Sequence, residues 1–403
     1  MSTAIKLDHD ELNRIFTAAH EDHLEGRLEE AEQHYQKLLK LFPETPVLLY
    51  NLGLVYYDQK RFVLARDAFR RAADIEAGDP DIFFNLALSC HQLGDLEGAI
   101  EAGKACFSLS PDSMDILYNL SCYYRDIRQD EAAIVACEQI LVRDHSHFRA
   151  MNNLAYLYHR RGDDDEAMSC YSRVLKLKPD HLGAHHMLNA LRGTPAKSSP
   201  EEYIRDVFDS YSHRFEKSLV GDLEYRVPEQ LRTLLEETTG KGHLFRYGID
   251  LGCGTGLGAE PFKDMIERID GVDLSPKMIE KAKEKKIYHS LSSGSIYEFL
   301  DGLDQKCDFL LAADVLEYIG DLRETFESAA QCSISGALFC FSTEKIESED
   351  FRLRRSGRFG HTPGYIRRVA QETGWEVLAC TVKGLRKEKG GWLDGNLWLV
   401  RRK

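Results

Sequence analysis

The chain of 403 residues has no apolar run approaching the ~20 residues of a membrane-spanning helix. Its start, Met1-Ser2-Thr3-Ala4-Ile5-Lys6, has no apolar signal core, so neither a secretory leader nor a membrane anchor is expected. Ten cysteines are present, yet they form no C-x-x-C pair and no Cys/His zinc spacing, so no metal is expected. Most sit at apolar periodic positions, as small core residues of a reducing compartment do, and the expected location is cytoplasmic. An excess of positive charge is also missing. The balance of 66 acidic and 52 basic residues gives −14, which argues against broad binding to nucleic acid or anionic membranes. Residues 1–192 hold 31 acidic and 21 basic residues against 35 and 31 in the remainder, so most of the acidity lies in the first half. At 43% hydrophobic and 29% charged, the composition supports ordinary cores, and the length implies two or three domains.

What the first half does have is a period. Ala31, Ala65, Ala99, Ala133 and Ala167 recur every 34 residues. A second small column, Ala19, Gly53, Ala87, Ser121 and Ala155, keeps the same phase, and a third carries Tyr35, Phe69 and Tyr171, interrupted by Gly103 and Cys137. Pro43, Pro111 and Pro179 close three of the units, where proline stops a second helix. Small residues let two helices cross closely, and a large one plugs the next unit. The pattern resembles five tetratricopeptide repeats over about 12–181, with 182–191 as a capping helix and 1–192 as the whole array. Asn51, Asn85, Asn119 and Asn153 occupy one column. An amide both donates and accepts, so such a ladder can hold the backbone of an extended peptide or protein partner. The resemblance to the repeats of the O-linked N-acetylglucosamine transferase implies that use; the alternative is that these asparagines tie one repeat to the next.

Residues 193–202, opening Gly193-Thr194-Pro195, read as an interdomain linker, and 203–403 as a second domain. Its informative stretch is Gly248-Ile249-Asp250-Leu251-Gly252-Cys253-Gly254-Thr255-Gly256. An apolar run delivers an acid and alternating glycines to an expected strand-to-helix turn, where the glycines admit close backbone approach by a ligand. After one amphipathic helix, a second strand ends at Asp273, where a nucleoside ribose would present its hydroxyls. Asp250 separates two cofactor classes. It would repel a pyrophosphate, whereas a sulfonium and an ammonium are better met by acidic surroundings.

Asp250, Gly252, Gly254, Gly256 and Asp273 together resemble the first two motifs of class I S-adenosylmethionine-dependent methyltransferases. The resemblance implies an α/β Rossmann-like seven-stranded sheet behind the α-helical solenoid. It also places Met278 on the adenine, Asp314 and Glu317 at the carboxyl end of the fourth strand, and Val207–Phe215 as a helix lidding the cofactor, with Tyr211 and His213 on it. Strands are expected at 306–314, 337–342, 375–381 and 396–401. One position departs from the family: Ser295 stands where an acid commonly holds the adenine amino group, a loss of ~1 kcal/mol. Repeats followed by this domain resemble the bacterial methyltransferases that contain tetratricopeptide repeats.

No Asn/Asp-Pro-Pro-Tyr run and no Pro-Cys motif is present, so the signatures of DNA and glutamine amide methylation and of cytosine-C5 chemistry are missing. The candidate catalytic residues are His361, Tyr211 and Glu317, with Tyr318, Tyr365 and His213 as further candidates. Arg352, Arg354, Arg355 and Arg358 form a basic cluster on an expected loop that could receive an anion of the substrate. The expectation is an S-adenosylmethionine-dependent methyltransferase whose repeats recruit a protein partner or substrate. The alternative is a scaffold with a degenerate methyltransferase fold, and a nicotinamide-linked oxidoreductase is disfavoured by Asp250.

Overall fold

A computed structural model describes residues 9–212, 215–388 and 391–403. The chain folds as two compact units that divide after Lys178.

The first unit is built from ten helices: α1 (His9–Leu24), α2 (Leu28–Leu41), α3 (Pro46–Asp58), α4 (Phe62–Ile75), α5 (Pro80–Gln92), α6 (Leu96–Leu109), α7 (Met114–Asp126), α8 (Asp130–Arg143), α9 (Phe148–Arg161) and α10 (Asp164–Leu177). Each pairs with its neighbour, so the five alanines at period 34 fall in five helical hairpins. Every one of them is fully buried, and so are Ala19, Ala87, Ser121 and Ala155 of the second small column. Gly53 shows why that column stays small. A Cβ there would stand 2.6 Å from the ring of Phe69, which is itself fully buried. Caps fix the starts of several helices: the Asp79, Asp95 and Ser113 side chains accept from the backbone N–H groups of Asp81, Gly98 and Ile116.

The second unit opens with α11 (Leu182–Arg192) and α12 (Glu201–Tyr211), then runs α13 (Val227–Thr239), β1 (Phe245–Leu251), β2 (Ile266–Asp273), α14 (Pro276–Lys285), β3 (Ser290–Ser293), α15 (Ile296–Asp301), β4 (Cys307–Ala312), α16 (Arg323–Gln331), β5 (Ser333–Lys345), β6 (Phe351–Leu353), β7 (Phe359–His361), α17 (Pro363–Glu372), β8 (Trp375–Glu388) and β9 (Gly391–Arg402). The order β3-β2-β1-β4-β5 is parallel, β9 joins β5 antiparallel, and β8 joins β9. These seven strands are the expected sheet. Two short strands, β6 and β7, extend it to nine among the described residues, and they occupy the stretch expected to be a basic loop. Central strands are apolar on both faces: Leu310, Phe339, Phe341 and Trp398 face one core, while Phe309, Leu311, Cys340 and Leu399 face the other.

Two expectations change here. The capping helix 182–191 and the linker 193–202 belong with the second unit. His186 Nε2 lies 2.7 Å from the Gly357 carbonyl, the Ser199 N–H donates to Tyr318 O, and Gly320 N–H donates to Lys197 O. The helix expected between β1 and β2 is absent as well: residues 252–265 form turns and one short 3-10 turn, Glu260–Phe262. Four glycines from 252 to 258 and Pro261 leave no uninterrupted helical stretch.

Phe69→Ala removes the ring that packs on Gly53 and Tyr50 inside the second hairpin. It is expected to lower the unfolding free energy of the repeat unit by about 3–5 kcal/mol, measured by urea denaturation followed by circular dichroism. An unchanged midpoint would show that the aromatic column does not hold the array together.

Candidate active site

The turn after β1 is built on left-handed backbone. Gly252, Gly254 and Gly256 have φ of 63°, 55° and 90°, a region that costs a side chain dearly. A Cβ on Gly252 would come 2.6 Å from Val315 Cγ2, whereas one on Gly254 would meet nothing within 4 Å. Gly252 is therefore packed against the segment after β4, and Gly254 faces open space. Thr255, between them and Gly256, is buried with its hydroxyl lacking a hydrogen-bond partner.

Two carboxylates frame this turn. Asp273, at the end of β2, accepts from the Gly254 N–H at 2.9 Å and from the Ser275 N–H at 2.8 Å, one with each oxygen. A carboxylate has about four lone-pair sites, so each oxygen can take a further donor. Asp250 is 1% exposed and accepts from the Tyr288 hydroxyl at 2.7 Å. Burial pushes its pKa up to about 7, and the Tyr288 hydrogen bond offsets only part of that rise.

Helix α12 reaches both flanking turns. Ser275 Oγ donates to Asp209 at 2.5 Å, and Ser295 Oγ donates to Glu201 at 2.8 Å. Phe208 packs edge-on against Tyr318 with ring centroids 5.6 Å apart. Tyr211 ends this helix, but its side chain and His213 lie outside the described residues. Met278 is fully buried on α14.

A second cluster gathers at the carboxyl ends of β4 and β5. Asp314 holds a φ of 62° directly after β4, and its carboxylate meets Arg386 Nη1 at 3.1 Å. Arg386, 1% exposed, also meets Glu344 at 2.5 Å and Glu388 at 2.9 Å. Arg354 pairs with Glu344, and Arg358 Nη1 approaches it at 3.6 Å while its guanidinium lies 5.5 Å from the Tyr318 ring. Two of the four expected anion-receiving arginines are thus turned inward onto a buried glutamate. Glu317, also 1% exposed, has an oxygen without a partner. Burial first, and Asp314 beside it, raise its proton affinity; burial likewise raises Glu344, to about 7. Burial raises the Tyr225 hydroxyl well above its ordinary pKa, and the negative charges of Asp314, Glu317 and Asp250 add to the rise.

His361 is not among these groups. It is fully buried on β7, with Nε2 2.9 Å from Ile319 O and 3.0 Å from Gly320 O, and burial pulls its pKa down to about 4. Its Nε2 brackets β7 to the turn after β4 while Nδ1 has no partner, and the lowered pKa makes it a poor proton acceptor, which weakens its candidacy as a base. Tyr365 similarly donates to Asp321 and accepts from the Leu322 N–H.

In the first unit the asparagine column is mostly spent internally. Asn51 donates to Val47 O, and Asn85 donates to Asp81 O and to Tyr50 of the preceding hairpin. Asn153 is buried, accepting from Arg125 and donating to Ser121 and Cys122. Asn119 makes no hydrogen bond among the described residues. Two of the four amides, those of Asn85 and Asn153, thus tie one repeat to the next, while Asn51 bonds only within its own helix.

Sequence reasoning missed Glu201, Asp209, Tyr225, Tyr288, Glu344 and Arg386. Asp209 lies within the helix already expected to lid the site and Glu201 two turns before it, so their spacing could have pointed to them; the others lie on strands and turns that carry no local signal.

Comparison with known proteins fits this arrangement. Residues 249–341 match a family described as a methyltransferase domain, and residues 25–81, 80–113 and 148–181 match tetratricopeptide repeats. A malonyl-[acyl-carrier protein] O-methyltransferase of Hamiltonella defensa subsp. Acyrthosiphon pisum is 32% identical over 95 residues, 24% of this chain and 36% of that protein. A ubiquinone biosynthesis O-methyltransferase of Methylobacterium sp. (strain 4-46) is 24% identical over 152 residues, 36% of this chain and 58% of that protein. The chain therefore spans less than two thirds of the length of either relative. Magnesium protoporphyrin IX methyltransferase from Synechocystis PCC 6803, solved with bound SAM, superposes with a TM-score of 0.39 at 16% identity over 50% of this chain and 97% of its own. Among the described residues no helix is long and apolar enough to cross a membrane, and no cluster of His, Cys, Asp and Glu could hold a metal.

The buried acids set a pH signature. Asp250 and Glu344 hold their protons up to about pH 7 in the fold and release them near pH 4 when unfolded. Between those values the folded state binds more protons, so their contribution to stability is present below about pH 4 and is lost as pH rises through 7. Asp250→Asn is expected to remove its share, on the order of a few kcal/mol, and flatten that decline in guanidinium titrations; an unaltered slope would contradict the assignment.

Proposed function

We propose that the second unit transfers a methyl group from S-adenosylmethionine and that the repeat array recruits the protein partner or substrate. The observation that carries this reading is the pair of carboxylates around a glycine turn that leads into no helix. A pyrophosphate would want a helix N-terminus and no acid. A sulfonium with an ammonium wants the reverse, and Asp250 and Asp273 supply it.

The residues then divide the donor between them. Gly252, Gly254 and Gly256 allow its amino-acid end to approach the backbone, with the Thr255 hydroxyl available as a hydrogen-bonding group. Asp250 balances the positive charge from beneath the turn. Asp273 takes the ribose hydroxyls. The base must then extend past β2 toward β3, its parallel neighbour, and so to Ser295. Ser295 lacks a charge, but Glu201 lies 2.8 Å from its hydroxyl and brings a carboxylate to the place where an adenine amino group needs an acceptor. Bound there, the sulfonium supplies an activated methyl; α12 keeps water from it, and Asp314 and Glu317 lie beyond, on the acceptor side. The O-methyltransferase relatives support group transfer at this fold, and the tetratricopeptide matches support recruitment of a protein.

Calorimetric titration of the purified chain with S-adenosylmethionine and S-adenosylhomocysteine is expected to give micromolar binding, abolished by Asp273→Ala. Glu201→Gln is expected to weaken it by ~1 kcal/mol, about fivefold. NAD should not bind. A well-folded wild type that binds neither sulfur compound would sink this reading and leave a repeat scaffold with a degenerate second domain.

A further inference from the structure

We infer that the buried polar cluster at the carboxyl ends of β4 and β5 is the methyl-acceptor site, and that it takes a hydroxyl oxygen held between Glu317 and Arg358. The inference rests on the reading of the second unit as a methyltransferase. Its starting point is which polar groups of the cluster are paired and which are not. Arg386 is bound by Asp314, Glu344 and Glu388, and Arg354 by Glu344. Two buried side-chain atoms are left over: Glu317 Oε1 and Arg358 Nη1, neither with a hydrogen-bond partner. Folded proteins rarely leave such atoms unpaired, and an orphan of this kind calls for a role beyond packing.

The two leftovers are complementary. One accepts and the other donates, and the Arg358 guanidinium lies 5.5 Å from the ring of Tyr318, the residue next to Glu317, so they belong to one locality. A hydroxyl satisfies both at once: its proton points to Glu317, and one oxygen lone pair accepts from Arg358. The second lone pair stays free to attack. A neutral amine has a single lone pair, and Arg358 would occupy it. A carboxylate has no proton for Glu317 and would set two anions together. A thiol donates too weakly to answer Glu317.

Position agrees with chemistry. Val315, between Asp314 and Glu317 in sequence, abuts Gly252 of the donor turn. Tyr318, under Arg358 and against Phe208, gives the acceptor's body an aromatic wall. In the transfer the acceptor oxygen forms the new bond to carbon as the carbon–sulfur bond breaks, its electron pair staying on sulfur. Glu317 takes the hydroxyl proton, and Arg358 stabilises the negative charge that its loss leaves on the oxygen until the bond to carbon consumes it. Burial and Asp314 raise the proton affinity of Glu317, as that task needs.

The test uses the full chain, saturating tritiated S-adenosylmethionine and three probes of one size: phenol, aniline and benzoate. Label is expected in anisole at a rate at least about tenfold above transfer to aniline or benzoate. Glu317→Gln and Arg358→Gln should each lower that rate about 100-fold while calorimetric affinity for S-adenosylhomocysteine stays within about twofold, which also shows that the variants fold. Equal transfer to the three probes, transfer to none of them, preference for benzoate or aniline, or variants as fast as wild type overturns the hydroxyl assignment. A wild type without donor affinity counts against the methyltransferase reading itself.

Discussion

The carboxylate of Asp273 accepts from the Gly254 N–H with one oxygen and from the Ser275 N–H with the other, and most of the site depends on that bridge. It ties the glycine turn after β1 to the turn after β2. Because no helix follows the glycine turn, it is held by this bridge together with the Cys253 N–H, which donates to the Val272 carbonyl of β2 at 2.9 Å. Ser275, fixed at the same junction, caps α14 and donates to Asp209 of α12, so the same bridge also seats α12. The close approach of Gly252 to Val315 carries the constraint across to β4. One acid thus aligns the ends of three strands and one helix.

Beyond it lies a cluster whose presence stability alone does not explain. Buried ion pairs seldom stabilise a fold more than apolar side chains of the same volume would. Yet Arg386 and Glu344, both 1% exposed, are joined there by Asp314, Arg354 and the two half-answered groups Glu317 and Arg358. The left-handed φ of Asp314 adds backbone strain at the same spot. Strain, buried charge and unpaired polar atoms coincide at the carboxyl ends of adjacent parallel strands, where open α/β sheets bind their ligands. The cost makes sense if the cluster prepares an electrostatic environment for a reacting oxygen.

How legible this was in the sequence depended on range. The period of 34 alanine by alanine is a local signal repeated five times, and every one of those alanines is buried as expected. The acid and glycines from 250 to 256 lie within seven residues and name their own turn. The helix after them was not legible as absent, because strand–turn–helix is the usual continuation and only Pro261 and the fourth glycine spoke against it. His361 looked like a base because a histidine beside a helix start is often exposed; strands β6 and β7, three residues each, enclose it. The groups that matter most across the site are distant in sequence: Glu201 meets Ser295 over 94 residues and Arg386 meets Asp314 over 72. Such pairs are set by sheet order, which no window of residues contains. The asparagine column was visible as a column, but whether an amide faces a peptide or its own helix is decided by rotamer and neighbours.

The central claim is that the crevice at the ends of β1 to β4 holds S-adenosylmethionine. Crystals of the full chain grown with S-adenosylhomocysteine test it most directly. Difference density is expected with the ribose hydroxyls within hydrogen-bond reach of Asp273, the adenine amino group between Ser295 and Glu201, and the sulfur turned toward Glu317 and Arg358. Well-diffracting crystals at saturating ligand with that crevice free of density, or with the ligand bound elsewhere, would contradict the account.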